Sequence, residues 1–496
     1  MDFRIVFFLM AGLICAVCIL ASRNQIRATL VLIAVLYVFP AGWVFYNYTG
    51  VLLVDVAILA ALMLGLASGQ KIRFFFKEIS IPIFILLGWM FVTSSRAMEP
   101  GWGYAEISKW VRGYLIFVCL ANFIKTEQDL RTVLYAVLAG FVFEAVLGVY
   151  QWRRGSLGLW FLGERLYRPE WWRAYGTFYV PSHFGNHLMM MLPILLRLFI
   201  FYKPPQKKET YFYGFALLCG FLALYATYAR GPWISFATVV VLMLLFTFFK
   251  SKLRPKIKWP IAAGIILGLA FSLKYTDKVI EQFGEQRKTS AMSRIYLGEV
   301  AWRLIQDNLA FGVGPGNYEI NSPRYVVPIK EYPTEHLSEI VHNTYLLIFS
   351  ENGVLGIAAF ALILIQMCVL CLRMFRSNHG IGLNLAIGGA MAILALAISF
   401  IASPDIHNEQ TLNQMFLTVG MVFACELMER RHAAVQRQLQ VQQRREIMQA
   451  RQEKLASAGV HPVENGQTVS NGATSPRPAI GASDTMRDSW PPRRRS

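Results

Sequence analysis

The sequence predicts an all-α polytopic membrane protein with about 12–13 transmembrane helices and one large helical loop outside the bilayer. Hydrophobic residues make up 55% of the 496 residues and charged residues only 16%, whereas soluble domains carry roughly 25% charged residues. The mean hydropathy is +0.43, and the apolar residues are collected in long runs. A soluble protein of this length and composition could not cover its surface. An ordinary cytosolic enzyme, a disordered scaffold and a secreted disulfide-rich module are therefore excluded.

The candidate spans follow from the lengths of the apolar runs, since a transmembrane helix needs about 17–25 mostly apolar residues. Runs of this kind lie at about 4–20, 26–45, 51–67, 79–93, 107–124, 131–150, 182–202, 211–228, 232–249, 259–275, 343–372, 382–402 and 413–428. The first run lacks a strongly basic start and a clear small-residue cleavage site. We therefore interpret it as a retained span rather than a signal peptide.

The basic residues predict the orientation in the membrane. Lys and Arg number 48 against 30 Asp and Glu, which makes the net charge +18. With these spans, four basic loops fall on the same side of the membrane. Their basic residues are Lys71, Arg73 and Lys77; Lys203, Lys207 and Lys208; those from Lys250 to Lys258; and Arg373 and Arg376. Cytoplasmic loops collect positive charge, so this side and the C-terminus are predicted to be cytoplasmic. This placement explains the excess charge better than nucleic-acid binding does, and it leaves polyanionic or lipid-linked substrates and membrane lipids open as partners.

The chain divides into a transmembrane domain and a polar tail. Residues 1–428 hold all the apolar runs, and within them 276–342 form the large loop on the outer side. This loop contains a predicted helix at about 290–308, followed by a glycine-rich turn. Residues 429–457 are rich in Arg and Gln and predict a basic cytoplasmic helix, whereas 458–496 have the Ser, Gly, Pro and Arg composition of a disordered tail.

The seven cysteines all fall inside apolar segments, so neither a disulfide nor a cysteine nucleophile is expected. Cys368 and Cys371 have CxxC spacing, but they lie in a membrane run, which favours packing.

Arg230 is the first residue with a candidate functional role. It lies in the short turn Tyr228-Ala229-Arg230-Gly231-Pro232-Trp233, between two apolar runs and on the outer side. Charges beside transmembrane segments are costly, so each one suggests a function. A guanidinium can bind two phosphate oxygens at once. The alternative is an arginine that extends its side chain to lipid headgroups.

His342 ends the large loop and directly precedes the next apolar run. A histidine titrates near neutrality and therefore suits a general base, although a histidine at the start of a helix can also serve as a buried hydrogen-bonding group. Asn343 is placed to cap the helix. Glu351 lies within or just after the same helix and needs a partner. An arginine partner with a structural role is the favoured interpretation.

Metal and nucleotide sites are also considered. His336, Glu339 and His342 recur at every third residue, and Asp405, His407 and Glu409 cluster in the last outer loop. Neither set forms a zincin HExxH pattern or a cysteine set, so no bound metal is predicted. The turn Gly312-Val313-Gly314-Pro315-Gly316-Asn317-Tyr318 lacks the Gly-Lys-Ser/Thr ending of a P-loop. A tight turn that supports the loop is preferred over close approach of its backbone to a phosphate.

Taken in order, these motifs resemble the bacterial O-antigen ligase and polymerase family. The resemblance extends from Arg173 to Gly356; it rests on Arg173, Gly176-Thr177-Phe178 and Pro181, on Arg230-Gly231-Pro232-Trp233, on Ser293-Arg294, on Phe311 to Tyr318, on His342-Asn343-Thr344-Tyr345 and on Glu351 to Gly356. Each motif is weak by itself. Their order and their predicted placement on one membrane face make the combination specific.

The resemblance implies a helical bundle in the bacterial inner membrane with a large periplasmic loop over the active site. The implied donor is a glycan on undecaprenyl pyrophosphate. The implied acceptor is a hydroxyl of a lipid A–core sugar or of a protein. No nucleotide, metal or other cofactor is implied.

The resemblance also implies roles for particular residues. His342 is the expected general base, and Arg230 the expected group that stabilises the departing diphosphate. Arg294 and Arg173 are expected to bind substrate. Direct attack by the acceptor would invert the anomeric centre. Asn343, Glu351, Gly314 and Gly316 are expected to support the site.

Three alternatives remain open. A polysaccharide polymerase of the same family would use a second lipid-linked glycan as the acceptor. A flippase or transporter for lipid-linked glycans would be expected to show inverted repeats and helices interrupted near the membrane midplane, and no clear repeat is seen. In a purely structural membrane scaffold, the combination of Arg230 and His342 would be accidental.

Overall fold

The computed structural model describes residues 13–37, 53–155, 173–178, 180–250, 288–326, 339–374 and 380–457. Every regular element in these ranges is helical. After a helical stretch at 13–21, the helices are α1 Gln25–Leu36, α2 Leu53–Ala67, α3 Lys77–Ser94, α4 Pro100–Phe123, α5 Glu127–Arg154, α6 Pro181–Phe201, α7 Lys207–Ala226, α8 Arg230–Lys250, α9 Lys288–Asp307, α10 Tyr318–Asn321, α11 Thr344–Arg373, α12 Ile381–Ser399 and α13 Glu409–Ser457. The all-helical fold class is confirmed.

Seven of the described helices are long and apolar enough to cross a membrane, and they are α3, α5, α6, α7, α11, α12 and α13. Helices α1, α2 and the first part of α8 are apolar but shorter. This composition confirms a polytopic membrane protein. The predicted total of about 12–13 spans stays a prediction, because the run at 259–275 and most of the run at 4–20 lie outside the described residues.

Helices α6 and α12 pack closely at the centre of the transmembrane bundle. Gly388 makes this approach possible, because a Cβ at that position would lie 2.6 Å from the Cα of Ile194. Small residues permit such close contact between membrane helices. The polar ends of both helices therefore meet near the loop that joins α12 to α13.

Helix α4 carries charged side chains into the bundle. Glu106, Lys109 and Arg112 are all buried. Arg112 pairs with Asp55 of α2 at 2.6 Å and with Glu409 at the start of α13 at 3.2 Å. Charges in an apolar environment persist only when they are paired, so these ion pairs fix α4 against its neighbours.

Residues 173–178 insert into the bundle beside α5. The Gln151 side chain accepts from the backbone N–H groups of Tyr175 and Gly176, and it donates to the Gly176 carbonyl. The buried carboxylate of Glu144 accepts from both the N–H and the hydroxyl of Thr177. Gly176 has a φ of +56°, and a Cβ there would overlap Glu144. The Gly-Thr-Phe motif is therefore needed for the path of the backbone.

The glycine-rich turn closes onto a break in α11. Gly353 has a φ of +64° inside this helix, so the carbonyls before it lack helical partners. The N–H of Val313 donates to Ser350 O at 2.9 Å, and the N–H of Gly314 donates to Glu351 O at 2.8 Å. We call these contacts between residues 309–314 and 350–354 the backbone clasp. It fixes the end of the outer loop to α11.

Helix α13 continues from Glu409 to Ser457 without interruption. The described side chains between 433 and 450 are exposed. This helix includes residues 429–457; the division at 428, with a separate basic cytoplasmic helix after it, stays a prediction. The predicted disordered tail, 458–496, lies outside the described residues.

Candidate active site

The site is organised around the start of α11. The Asn343 side chain accepts a hydrogen bond from the N–H of Leu346 at 3.0 Å, so Asn343 caps this helix as its position predicts. Thr344 then donates from its N–H to Phe400 O, and from its hydroxyl to Ser403 O at 2.7 Å. These bonds hold the residue before the cap, His342, beside the end of α12.

His342 has the protonation pattern of a general base. Its half-buried ring places Nδ1 3.1 Å from the carbonyl oxygen of Ile340. A carbonyl can only accept, so Nδ1 carries the proton and Nε2 keeps its lone pair. Burial, and after it the positive charge of Arg294, lowers the pKa of His342 below the ordinary value of 6.5. Near neutral pH the imidazole is therefore mostly uncharged and able to accept a proton.

Arg230, Arg294 and His342 lie close enough to interact electrostatically. Arg230 is the half-buried first residue of α8, and Arg294 belongs to α9. Burial, and after it the charge of Arg230, lowers the pKa of Arg294, which in turn acts on His342. Two neighbouring cations repel each other unless an anion lies between them. The arrangement therefore suits a polyanionic group such as a diphosphate.

The turn before Arg230 is held by Arg173. Arg173 donates from Nε to Thr227 O at 2.8 Å and from Nη2 to Tyr228 O at 3.3 Å. Tyr228 has a φ of +50°, a backbone conformation that costs energy for a residue other than glycine. Arg173 thus supports the turn that presents Arg230. Direct contact of Arg173 with substrate stays a prediction.

Asp405 and His183 enter the site without having been predicted there. Asp405 is fully buried, and the His183 Nε2 lies 3.0 Å from its Oδ1. The Asn408 amide oxygen accepts from the N–H of Thr411, which turns its Nδ2 toward His183 Nδ1 at 3.1 Å. The Asp405 charge also acts on His342, where it raises the pKa against the larger lowering effects. Asp405 therefore lies near two histidines.

Two residues after Asp405, the partly exposed His407 joins a group of four charged side chains whose other three members are buried. The His407 Nδ1 lies 2.9 Å from Glu106 Oε1, and its Nε2 lies 3.1 Å from Glu351 Oε2. Lys109 donates to Glu106 at 2.5 Å and to the carbonyl of His407 at 2.9 Å. We call Glu106, Lys109, Glu351 and His407 the charge quartet. Glu351 thus has a histidine partner instead of the expected arginine.

The residues considered as metal ligands do not converge. His336 lies outside the described residues. Asp405 contacts His183, His407 contacts two glutamates, and Glu409 contacts Arg112. Among the described residues, no group of three or more His, Cys, Asp or Glu side chains could hold a metal ion.

The glycine-rich turn packs closely against neighbouring segments, and the supporting role of Gly314 and Gly316 stays a prediction. Gly314 and Gly316 have φ values of +96° and +70°, and their open sides face Ala97 and Trp102. The N–H groups of Val313 and Gly314 already donate to α11 carbonyls. These donors are therefore not free to bind a phosphate.

Three residues of the assembled site could have been suspected from local signals. His183 opens an apolar run two residues after Pro181, and polar residues beside spans suggest function. The spacing of Asp405 and His407 suggests metal ligands and no other role. Their actual partners, Glu106, His183 and Glu351, come from three different helices, and sequence spacing gives no information about such contacts.

One comparison with known proteins identifies the central part of the chain. Residues 215–361 match the Wzy_C family model, which is described as O-Antigen ligase. The matched segment includes Arg230, Arg294, His342 and Glu351, whereas Arg173, His183, Asp405 and His407 lie outside it. No curated protein matches the chain at a significant level. Residues 215–361 are therefore similar to the O-antigen ligase family, which confirms the resemblance that the motifs indicated.

Proposed function

We propose that this protein is an inner-membrane glycosyltransferase that moves a glycan from undecaprenyl pyrophosphate to an acceptor hydroxyl at the periplasmic face. The acceptor is a lipid A–core sugar or a protein side chain. The observation that supports the proposal most directly is the state of His342, whose Nδ1 is bound to Ile340 O while its Nε2 is free to accept a proton. The family match over residues 215–361 supports the same reaction class.

In the proposed reaction the acceptor oxygen attacks C1 of the donor sugar. His342 Nε2 takes the proton of the acceptor hydroxyl as the new C1–O bond forms. The bond between C1 and the diphosphate oxygen breaks, and the electron pair leaves with undecaprenyl diphosphate. A single displacement inverts the configuration at C1. Asp405 stabilises the imidazolium that results, because its buried charge favours the protonated form of His342.

The two arginines act on the leaving group. Negative charge builds up on the diphosphate as the glycosidic bond breaks, and preorganised cations stabilise that charge. Arg230 is the principal contact, and Arg294 is the second. The sugar–diphosphate bond already carries a good leaving group, so the transfer needs neither ATP nor a metal ion. Arg173 assists through the turn at Thr227 and Tyr228.

Polymerisation of a lipid-linked glycan is the second candidate within the same family. It would use the same His342 and arginines, with another lipid-linked chain supplying the hydroxyl. Transport of a lipid-linked glycan is the candidate from a different class. In that case the arginines would bind the diphosphate but no covalent product would form.

A reconstituted transfer assay tests the proposal. Purified protein in nanodiscs would receive an undecaprenyl-pyrophosphate glycan and lipid A–core, with EDTA and without ATP. We expect a glycan–lipid A–core product from the wild type and none from His342→Ala, which should still bind the donor. Lengthening of donor chains without consumption of lipid A–core would indicate a polymerase. Donor movement without any covalent product, with protein acceptors also tried, would indicate a transporter.

A further inference from the structure

His407 contacts two helices from the turn between α12 and α13. It ends the short 3-10 helix Asp405–His407 between α12 and α13. Its Nδ1 contacts Glu106 of α4 at 2.9 Å, and its Nε2 contacts Glu351 of α11 at 3.1 Å. Its backbone carbonyl accepts from Lys109 of α4. One side chain and its carbonyl thus fix the 405–407 turn to two helices.

The geometry defines the charge of His407. Both ring nitrogens lie within 3.1 Å of carboxylate oxygens, and negative charges this close favour the protonated imidazolium. Burial alone would lower the pKa of His407, but the charges of Glu106 and Glu351 and their hydrogen bonds raise it to about 10. The charge quartet then holds two carboxylates and two cations, and it is electrically balanced.

The same turn carries Asp405 to the candidate active site. Asp405 lies two residues before His407, is fully buried, contacts His183 and acts electrostatically on His342. Glu351, the other partner of His407, belongs to the helix that begins just after His342. His407 therefore connects, through one imidazolium, the chain segment that carries Asp405 and the helix that carries the proposed base.

We propose that His407 is a positioning residue for the proposed transfer reaction. As an imidazolium between Glu106 and Glu351, it ties the turn that carries Asp405 to α4 and α11, and it balances the charge of the two carboxylates at the turn from which Asp405 acts on His342. The predicted loss of activity rests on the proposed function. The predicted change in the pKa of His342 does not, because it can be measured without turnover.

Loss of the His407 charge has a defined electrostatic effect. The bond from Lys109 to the carbonyl of residue 407 would still hold the turn and Asp405, whereas the quartet would carry one excess negative charge two residues from Asp405. An added negative charge favours the imidazolium form of a neighbouring histidine. The pKa of His342 should rise by roughly half a unit or more. The other charged or titratable groups around His407 on its neighbouring elements are Glu106, Lys109, Glu351, Tyr318, Asp405, Glu409 and Arg112. A purely structural contact would not predict a shift of this sign.

The experiment compares His407→Gln with the double variant His407→Gln/Glu351→Gln. The double variant removes one cation and one carboxylate, so the remaining Glu106–Lys109 pair is balanced again. His432→Gln is the matched control, because His432 is exposed on α13 far along the sequence from the turn. Diethylpyrocarbonate labelling of His342, followed by peptide mass spectrometry from pH 5 to 9, measures its uncharged fraction. Transfer assays give kcat and KM.

For His407→Gln we expect the labelling curve of His342 to shift to higher pH and kcat to fall by roughly 10-fold or more, with a smaller change in KM. The double variant should return the labelling curve toward that of the wild type, and His432→Gln should match the wild type. An unshifted His342 curve in a His407→Gln protein that elutes as a single folded species would overturn the proposal. So would an equal shift in the single and double variants. Labelling needs no turnover, so an inactive wild type would reject the proposed function without deciding this test.

Discussion

At the scale of single residues, the hydrogen bond of His342 to the carbonyl of Ile340 assigns the ring its role. A backbone acceptor on Nδ1 leaves Nε2 as the only basic atom of the ring. Arg294 then acts on the same ring from α9 by disfavouring its protonated form. The Ile340 carbonyl thus selects the tautomer, and burial, with Arg294 after it, lowers the pKa above which Nε2 can accept a proton.

The pH dependence of transfer should report the effect of Arg294. The pKa of His342 is lowered in the folded protein, so the base is available above this pKa, and activity is lost as the pH falls through it. Arg294→Gln removes one of the causes of the lowering, so the pKa should rise and the acidic loss of activity should move to higher pH. Arg303→Gln on the same helix, where Arg303 pairs with Glu299, is the control. A pH profile of kcat/KM checks this, and an unmoved acidic limb would exclude the interaction.

Lysine should not be able to replace Arg230. Arg230→Lys keeps the charge but loses the planar pair of donors that fits a diphosphate. We expect kcat to fall by roughly 10²-fold, since preorganised donors to a developing anion have effects of this size. Arg303→Lys should leave kcat unchanged. Wild-type turnover by Arg230→Lys, measured by product formation in nanodiscs, would show that Arg230 contacts lipid headgroups instead.

At the scale of secondary-structure elements, the sequence predicted helices and turns well and their contacts poorly. The helix expected at about 290–308 is Lys288–Asp307, and the glycine-rich turn lies where it was expected. Glycines and apolar periodicity are local signals, and they determine local structure. The break at Gly353 and the histidine partner of Glu351 depend on chain segments far away in sequence. No local pattern contains them.

The backbone clasp should be sensitive to a single methyl group. Gly312 has a φ of +69°, and a Cβ there would overlap the backbone of Glu351. Gly312→Ala should therefore destabilise the protein by about 1–3 kcal/mol and lower its Tm in detergent, together with transfer activity. Gly298→Ala, within helix α9, is the matched control. Its Cβ would make an ordinary contact with Leu346 of α11 at 3.8 Å. Alanine is favoured over glycine in a helix interior, so its Tm should stay equal or rise. Equal Tm values for Gly312→Ala and the wild type would contradict the clasp.

At the scale of the whole molecule, buried charges concentrate where α2, α4, α11 and the start of α13 meet. Asp55, Arg112 and Glu409 form one linked set, and the charge quartet forms another. The hydropathy profile treats the run 107–124 as an ordinary span, in which Lys109 and Arg112 look like defects and before which Glu106 looks like a loop residue. In three dimensions all three are paired, and Glu106 and Lys109 contact His407. The composition could predict the class of fold but not this grouping.

The orientation of the chain in the membrane can be tested directly. The proposed reaction needs the glycine-rich turn and His342 on the periplasmic side, opposite the lysine-rich turn before α7. Glu319 and Lys208 are both exposed, and they lie on these two loops. In intact cells with a permeable outer membrane, a membrane-impermeant maleimide should label Glu319→Cys, whereas Lys208→Cys should react only after the inner membrane is opened. The wild type, whose cysteines all lie in helices, sets the background. The reverse pattern would place the arginines and His342 in the cytoplasm, where a reaction with a periplasmic donor could not occur.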